Sequence, residues 1–321
     1  MTTADDEPFR GEVRLAGHRR VSHGLGVRIR EGLTPEEEFR RDLRAYLLVL
    51  PRSAAFTHLT GARLLGWQLP TLPEQVPIFV AVNQQDARPR RHGLIVSRLV
   101  GDRRATVRHG LPIEAPEEIL LRAARDLGLV DLVVLIDSAR HLGDVDPRRM
   151  EELLGSRRPG VRMLREAWRR STGLAESAGE TVLQQFHVAM QIPFTPQFEI
   201  RDDAGRLLAR VDILVDGTMQ IHEYDGAYHR GRRQHRSDLR RERNLTGTPY
   251  RRRGFVLDDL VNHPSIVMHE IDRGLGRPHD LRRLWSWQRL IDNSMFSETG
   301  RERMMNRWRR QNGIVDWSRT A

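Results

Sequence analysis

The feature that most constrains this chain is a pair of alternating apolar runs, Arg206 to Val215 and Thr218 to Asp225, separated by Asp216-Gly217. That dipeptide favours the two-residue turn that joins antiparallel strands. With Asp216 and Gly217 as the turn, Asp212 faces Ile221 and Arg210 faces Glu223. Side chains on one face recur every second residue, so Asp212, Glu223 and Asp225 share a face, while Val211, Ile213 and Val215 point to the other with His222 and Tyr224. Asp212 and Glu223 are then diagonal neighbours about 7 to 8 Å apart at Cα. Val211, Ile213 and Val215 read as core.

Like charges gathered on one face of a mostly apolar hairpin repel unless a cation or protons compensate. The chain has no cysteine, which leaves oxygen and imidazole as ligands and favours a hard ion, magnesium or manganese. All 53 basic residues are arginine, so a mechanism requiring lysine as base or charge stabiliser is excluded. A solvated outer face carrying ordinary surface acids is the competing reading of the same pattern.

The formal charge of +10 favours polyanionic partners such as nucleic acid, DNA included, or an anionic membrane. Met1 to Arg10 is acidic and polar, unlike a signal peptide. The most apolar stretch, Leu127 to Ala139, is interrupted by Asp131 and Asp137, well short of the roughly 20 residues a bilayer helix needs. A soluble, cytoplasmic protein with no membrane partner is expected.

A length of 321 residues suits two domains, and local signals divide the chain further. Residues 1–33 read as an irregular segment. Thr34-Pro-Glu-Glu37 combines a cap, a proline at the first helical position and an acid three residues after the cap. It predicts a helix to about Leu50, followed by a second short helix ending at Gly66. Val76 to Val82 and Leu94 to Leu99 read as strands, making 34–110 a winged-helix-like domain. The helical pattern over 111–172 predicts a linking region, with Ser156 to Gly160 the most linker-like break. A domain over 173–275 follows, then a helical tail over 276–321. Trp285, Trp287, Trp308 and Trp317 suit that tail to packing, to self-association or partner binding, or to nucleic-acid stacking.

Ser177-Ala-Gly-Glu180, the strand carrying Val211-Asp212, and Ile221-His-Glu-Tyr-Asp-Gly226 resemble the PD-(D/E)XK nuclease superfamily, in its branch related to very-short-patch-repair endonucleases. His229, Asp238 and Arg241 match the downstream part of that pattern. The resemblance implies an α+β protein with a restriction-endonuclease-like α-β-β-β-α-β core and a magnesium- or manganese-dependent endonuclease acting on DNA. Asp212, Glu223 and the Tyr224 carbonyl would hold the metal, with Glu180 holding a metal-bound water or a second ion. Where the superfamily usually has lysine this chain has Asp225, so His229, Arg241 or a second metal would take over its task, or activity would be weak. Glu180 can equally be a capping partner of Ser177, and His229 a surface residue.

Arg232, Arg233, Arg236, Arg240 and Arg243 lie in a basic segment suited to phosphate contact. Arg251 to Arg253 extend it toward an apolar strand, Phe255 to Leu257. In the N-terminal half, Phe56 to Trp67 and Pro112 to Asp137 resemble AbiEi-type antitoxins. That likeness implies DNA binding without catalysis, with the helix near Thr60 to Gly66 facing the groove. A non-catalytic DNA-binding regulator with a degenerate nuclease fold is thus the alternative function.

Overall fold

The computed structural model describes residues 8–11, 16–99, 105–226 and 247–311. The chain is a mixed α and β protein, with eleven helices and three sheets among these residues. It divides into two compact units, one within Met1–Trp67, Leu72–Asp126 and Glu302–Ala321, the other formed by Gln68–Thr71 and Leu127–Arg301. The block 111–172, expected to link two halves, divides between them instead. Ser156 to Gly160 is only a short connection inside the second unit.

In the first unit, β1 (Phe9–Arg10), β2 (His18–Ser22) and β3 (Leu25–Arg28) form a small antiparallel sheet in the order β1-β3-β2. Helix α1 (Pro35–Leu47) starts as its sequence demands, with Pro35 in the first turn and a reciprocal capping box between Thr34 and Glu37. It ends at Leu47, short of the expected Leu50. A five-stranded sheet has the order β6-β5-β4-β8-β7. Its strands are β4 (Ala55–Phe56), β5 (Ile78–Val82), β6 (Leu94–Arg98), β7 (Ala105–Arg108) and β8 (Leu111–Glu114). Leu43, Phe56, Val80, Leu94 and Ile113 build the core.

Two expectations for this unit change. The strands β5 and β6 run parallel inside the larger sheet and do not form the ribbon of a wing. Helix α2 (His58–Leu65) has every residue from His58 to Ala62 buried, and Leu64 as well, so it lacks the open face that a groove-reading helix needs. Its end was readable, since Gly66 adopts φ +79° as a left-handed cap. Helix α3 (Pro116–Ala123) carries Arg122, whose guanidinium meets the Glu114 carboxylate in a buried ion pair and also donates to Ser97 Oγ at 3.0 Å.

The second unit opens with α4 (Leu129–His141), α5 (Pro147–Gly155) and α6 (Val161–Arg170). Asp131 and Asp137, the two acids interrupting the apolar run, are both buried in α4. Then come α7 (Ala178–Ala189), β9 (Phe194–Arg201), β10 (Leu207–Val215), β11 (Gln220–Tyr224) and β12 (Arg251–Phe255). The four strands form one sheet in the order β12-β11-β10-β9. Strands β9, β10 and β11 are antiparallel, whereas β12 joins β11 in parallel. The strand expected over Phe255–Leu257 is thus shifted upstream, and Leu257 already begins α8 (Leu257–Val261).

Helix α9 (Pro264–Gly274) and α10 (Leu281–Ile291) complete the cover, and α11 (Glu298–Gln311) closes the described chain. Trp287 of α10 is wholly buried, lies edge-on to Phe186 and donates its Nε1–H to the Leu260 carbonyl at 2.7 Å. Burying a side chain of this size contributes about 2 to 3 kcal/mol. Trp287 therefore packs. Trp308 of α11 is also buried, whereas Trp285 is 62 % exposed; Trp317 lies outside the described residues. None of the helices described is long and apolar enough to cross a membrane.

Candidate functional site

The hairpin differs from the sequence expectation in a way that matters for the acids. Asp216 and Gly217 do sit at the turn, and Thr218 N–H donates to Val215 O at 3.2 Å. The Thr218 hydroxyl then donates to the same carbonyl at 2.8 Å and accepts from Gln220 N–H at 3.0 Å. Met219 is drawn outward by Arg251 N–H, which donates to its carbonyl at 2.8 Å. Thr218 and Met219 thereby leave the ladder. Ile213 pairs with His222 and Leu214 with Ile221, a register two positions from the expected one.

Because the slip is by two, each residue keeps its face. Carried one position past the paired residues, this register would set Asp212 across from Glu223 rather than diagonal to it, a Cα separation of about 4.5 to 5.5 Å. The Asp212 carboxylate reaches the next peptide and accepts the Tyr224 N–H at 2.9 Å. Ile213 and Val215 enter the main core with Phe186, while Val211 joins Ile200, Ala209 and Ile221 in a smaller cluster.

Glu223 is only 2 % exposed. The charge beside it comes from Arg252, whose Nε donates to Glu223 Oε2 and whose Nη2 donates to Asp225 Oδ1 at 2.8 Å. Burial pulls the Arg252 guanidinium down, but the hydrogen bonds and charges of the two carboxylates outweigh it and hold the group above its ordinary value. Arg252 thus bridges two of the three acids. Its position follows from the parallel pairing that sets Ile221 beside Arg252 and Glu223 beside Gly254.

Two glycines make the arrangement possible. A Cβ on Gly254 would fall 1.8 Å from Asp225 Oδ2, and one on Gly179 would fall 2.0 Å from Tyr224 Cε1. The first lets the Asp225 carboxylate lie across β12, and the second lets the first turn of α7 rest on the Tyr224 ring. That turn brings Glu180. Ser177 Oγ caps it, accepting from Glu180 N–H at 3.2 Å, and the Glu180 carboxylate accepts from Ser177 Oγ, Glu176 N and Gln197 Nε2. Burial raises the Glu180 carboxyl above its ordinary value, opposed by those hydrogen bonds. Glu180 has the capping contacts and also faces β9.

Among the described residues no group of three or more histidine, aspartate or glutamate side chains is arranged to hold a metal ion. The donors do suit magnesium or manganese in kind, since Asp212, Glu223 and the Tyr224 carbonyl supply only oxygen. In this arrangement Glu223 is paired with Arg252, so accepting an ion requires the guanidinium to move aside. His229, Asp238, Arg241 and the basic residues Arg232, Arg233, Arg236, Arg240 and Arg243 lie outside the described residues.

Sequence reasoning placed Arg252 in a basic run and Gly179 in a motif without seeing that they meet Glu223 and Tyr224, and it missed Gly254 and Gln197. Gly254 was the available signal, because a glycine inside a strand marks close approach. No protein-family model, curated protein or solved structure matches this chain.

Proposed function

We propose that the second unit is a metal-dependent endonuclease-like domain that hydrolyses phosphodiester bonds in DNA. The observation that carries this reading is the Asp212 carboxylate on the Tyr224 N–H, beside Glu223 and Asp225, which Arg252 bridges, where β11 ends near the α7 turn that bears Glu180. The order α7-β9-β10-β11, with β12 returning parallel to β11, supports a restriction-endonuclease-like core. Asp212, Glu223 and the Tyr224 carbonyl would hold magnesium or manganese, which would supply the Lewis acid for attack on phosphate. Around that centre, the Tyr224 N–H fixes the Asp212 carboxylate, Ser177 and Gln197 orient Glu180, and the chain's charge of +10 favours a polyanion. His229 and Arg241 remain the candidates for the task that lysine performs in related enzymes.

The test is cleavage of supercoiled plasmid by purified protein with magnesium or manganese, alongside Asp212→Asn. Loss of at least about 100-fold in rate is expected for removal of a metal-holding carboxylate. Cleavage that survives the substitution would mean the activity belongs to something else.

A second reading is a DNA-binding regulator whose nuclease fold no longer turns over, and the Arg252 bridge favours it. An arginine that already balances Glu223 and Asp225 removes the need for an ion. Retardation of DNA without manganese uptake in calorimetry would decide for this reading. An AbiEi-like DNA-binding role for the first unit belongs with it, through a surface other than α2.

A further inference from the structure

The first unit contains a cavity of about 240 Å³ at the start of α2, lined by Thr57, His58, Arg88, Arg122, Arg125 and Asp126 among others. At about 30 Å³ per water, it has room for roughly eight waters, far more than one bridging molecule. Two buried polar groups of its lining residues have no hydrogen-bond partner among the described residues, the Thr57 hydroxyl and His58 Nε2. Thr57 and His58 are only 1 % and 4 % exposed. Buried hydroxyl and imidazole groups left unpaired each cost about 1 to 3 kcal/mol, so their persistence calls for a partner that the described residues do not provide.

The local backbone points the same way. Thr57 occupies the N-cap position of α2, where a threonine hydroxyl ordinarily accepts from the first turn. Here it makes no such bond. His58 has φ +51°, a strained value for a residue with a side chain, and such strain concentrates at ligand sites. Its ring is held by stacking on Phe79 at 4.1 Å between centroids and by Leu59 N–H, which donates to Nδ1 at 2.8 Å. With Nδ1 fixed as acceptor, the proton of the neutral ring sits on Nε2. Burial, opposed by the charge of Asp126, pushes the His58 pKa down to about 4, so near neutral pH that ring is a neutral donor.

Thr57 and His58 therefore present two donors to the cavity. Arg88, Arg122 and Arg125 add positive charge, and Asp126 is the one acid among the described lining residues. Arg122 is already balanced by Glu114. Asp126 is committed elsewhere, accepting from Trp308 Nε1 at 3.1 Å and Gln311 Nε2 at 3.3 Å, and lies 3.7 Å from His58 Nε2, beyond hydrogen-bond reach. We propose that this cavity is a binding site for a small oxyanion of the phosphate type, received by the Thr57 hydroxyl and His58 Nε2–H at the N-terminus of α2. Backbone N–H groups and the helix dipole favour an anion there.

The experiment is thermal melting of the full chain with inorganic phosphate, or with a 5′-phosphorylated dinucleotide, each against chloride at matched ionic strength, with calorimetric titration of phosphate. Wild-type protein is expected to melt about 3 °C higher at ten times the dissociation constant. In Thr57→Val the hydroxyl becomes a methyl of similar size, so melting without phosphate should hold or rise, while affinity falls about tenfold. His58→Asn, which tolerates positive φ, should lose the shift as well. A larger shift with inorganic phosphate assigns a free ion, and a larger one with the dinucleotide assigns a nucleic-acid end. No shift beyond chloride in either arm would overturn the proposal. So would an equal shift in Thr57→Val, or a marked loss of its stability without phosphate, which would give the hydroxyl a purely internal role.

Discussion

Two buried carboxylates in the second unit, Asp137 and Glu223, are satisfied in opposite ways. Asp137 is ringed by neutral donors fixed to the backbone or on short stems: Ser171 Oγ at 2.6 Å, Gly173 N–H at 2.7 Å and Thr181 Oγ1 at 2.9 Å. They tie α4 to the start of α7. Glu223 instead meets Arg252, a long side chain that is 45 % exposed. A carboxylate held by rigid neutral groups is committed to the fold. One held by a mobile charge at the protein's edge can exchange that charge for another cation, and that is what separates a brace from a candidate site.

The largest effect should come from the brace. Asp137→Ala strands two hydroxyls and a peptide N–H in the interior, and should lower stability by about 3 to 4 kcal/mol in urea titration. A loss below about 1 kcal/mol would erase the distinction between the two acids.

Acid titration sharpens the same contrast. Asp131, like Asp137, is held by neutral donors, Ser294 Oγ and the Met295 and Gly128 N–H groups, and burial pushes it up to about 7 against those hydrogen bonds. Its folded form binds the proton more tightly than the unfolded chain, so stability grows as pH falls from about 7 toward 4. His187 works the other way. Burial drives its pKa down to about 4, countered by its bond to the Leu183 carbonyl, and it lies 2.7 Å from His222 Nδ1, itself driven by burial and by the neighbouring His187 and Arg253 down to about 2. The unfolded chain takes up those protons first, so between about pH 6.5 and 4 the contribution of His187 is lost as pH falls, on the order of 3 kcal/mol. His222, and His58 in the first unit, lose comparable amounts, so wild-type stability should fall on acidification over this range. Asp131→Asn should steepen that fall, and a flat profile for that variant would show that the buried histidines are not held neutral.

Gly179→Ala should cost about 2 kcal/mol, because the Tyr224 ring must yield; an unchanged melting point would mean that the α7 turn is not seated on β11. The smallest shift is the most telling about exchange. Arg252→Gln should lower stability by about 1 kcal/mol, since the guanidinium is half exposed, and manganese should restore more of it than manganese adds to the wild type. No such differential recovery would place Glu223 with Asp137.

Much of this was legible along the chain. Thr34, Pro35 and Glu37 announce α1 because capping is decided within one turn. The alternation around Asp216-Gly217 put Asp212, Glu223 and Asp225 on one face because strand parity is local. The register was not legible, since it turns on the Thr218 hydroxyl seizing the Val215 carbonyl and on Arg251 engaging Met219. Arg252 was read only as one of a basic run for a related reason: its approach to Glu223 depends on a parallel pairing between segments 29 residues apart. In the first unit, local β-propensity located β5 and β6 but carried no information about their direction, and helical spacing in α2 could not reveal that its outer face is covered.

The four-residue loop Asp216 to Met219 leaves a rule about inheritance. This hairpin can change length or pairing in steps of two and still present Asp212, Glu223 and Asp225 together, as the difference between the simplest turn and the real one illustrates. A step of one would turn the β11 side chains over, driving Glu223 toward the face of Phe186 and away from Asp212, with His222 turned outward. Descendants of this sequence are thus free to drift by even numbers here, and a lineage with an odd change should be found to have lost either the acids or the fold.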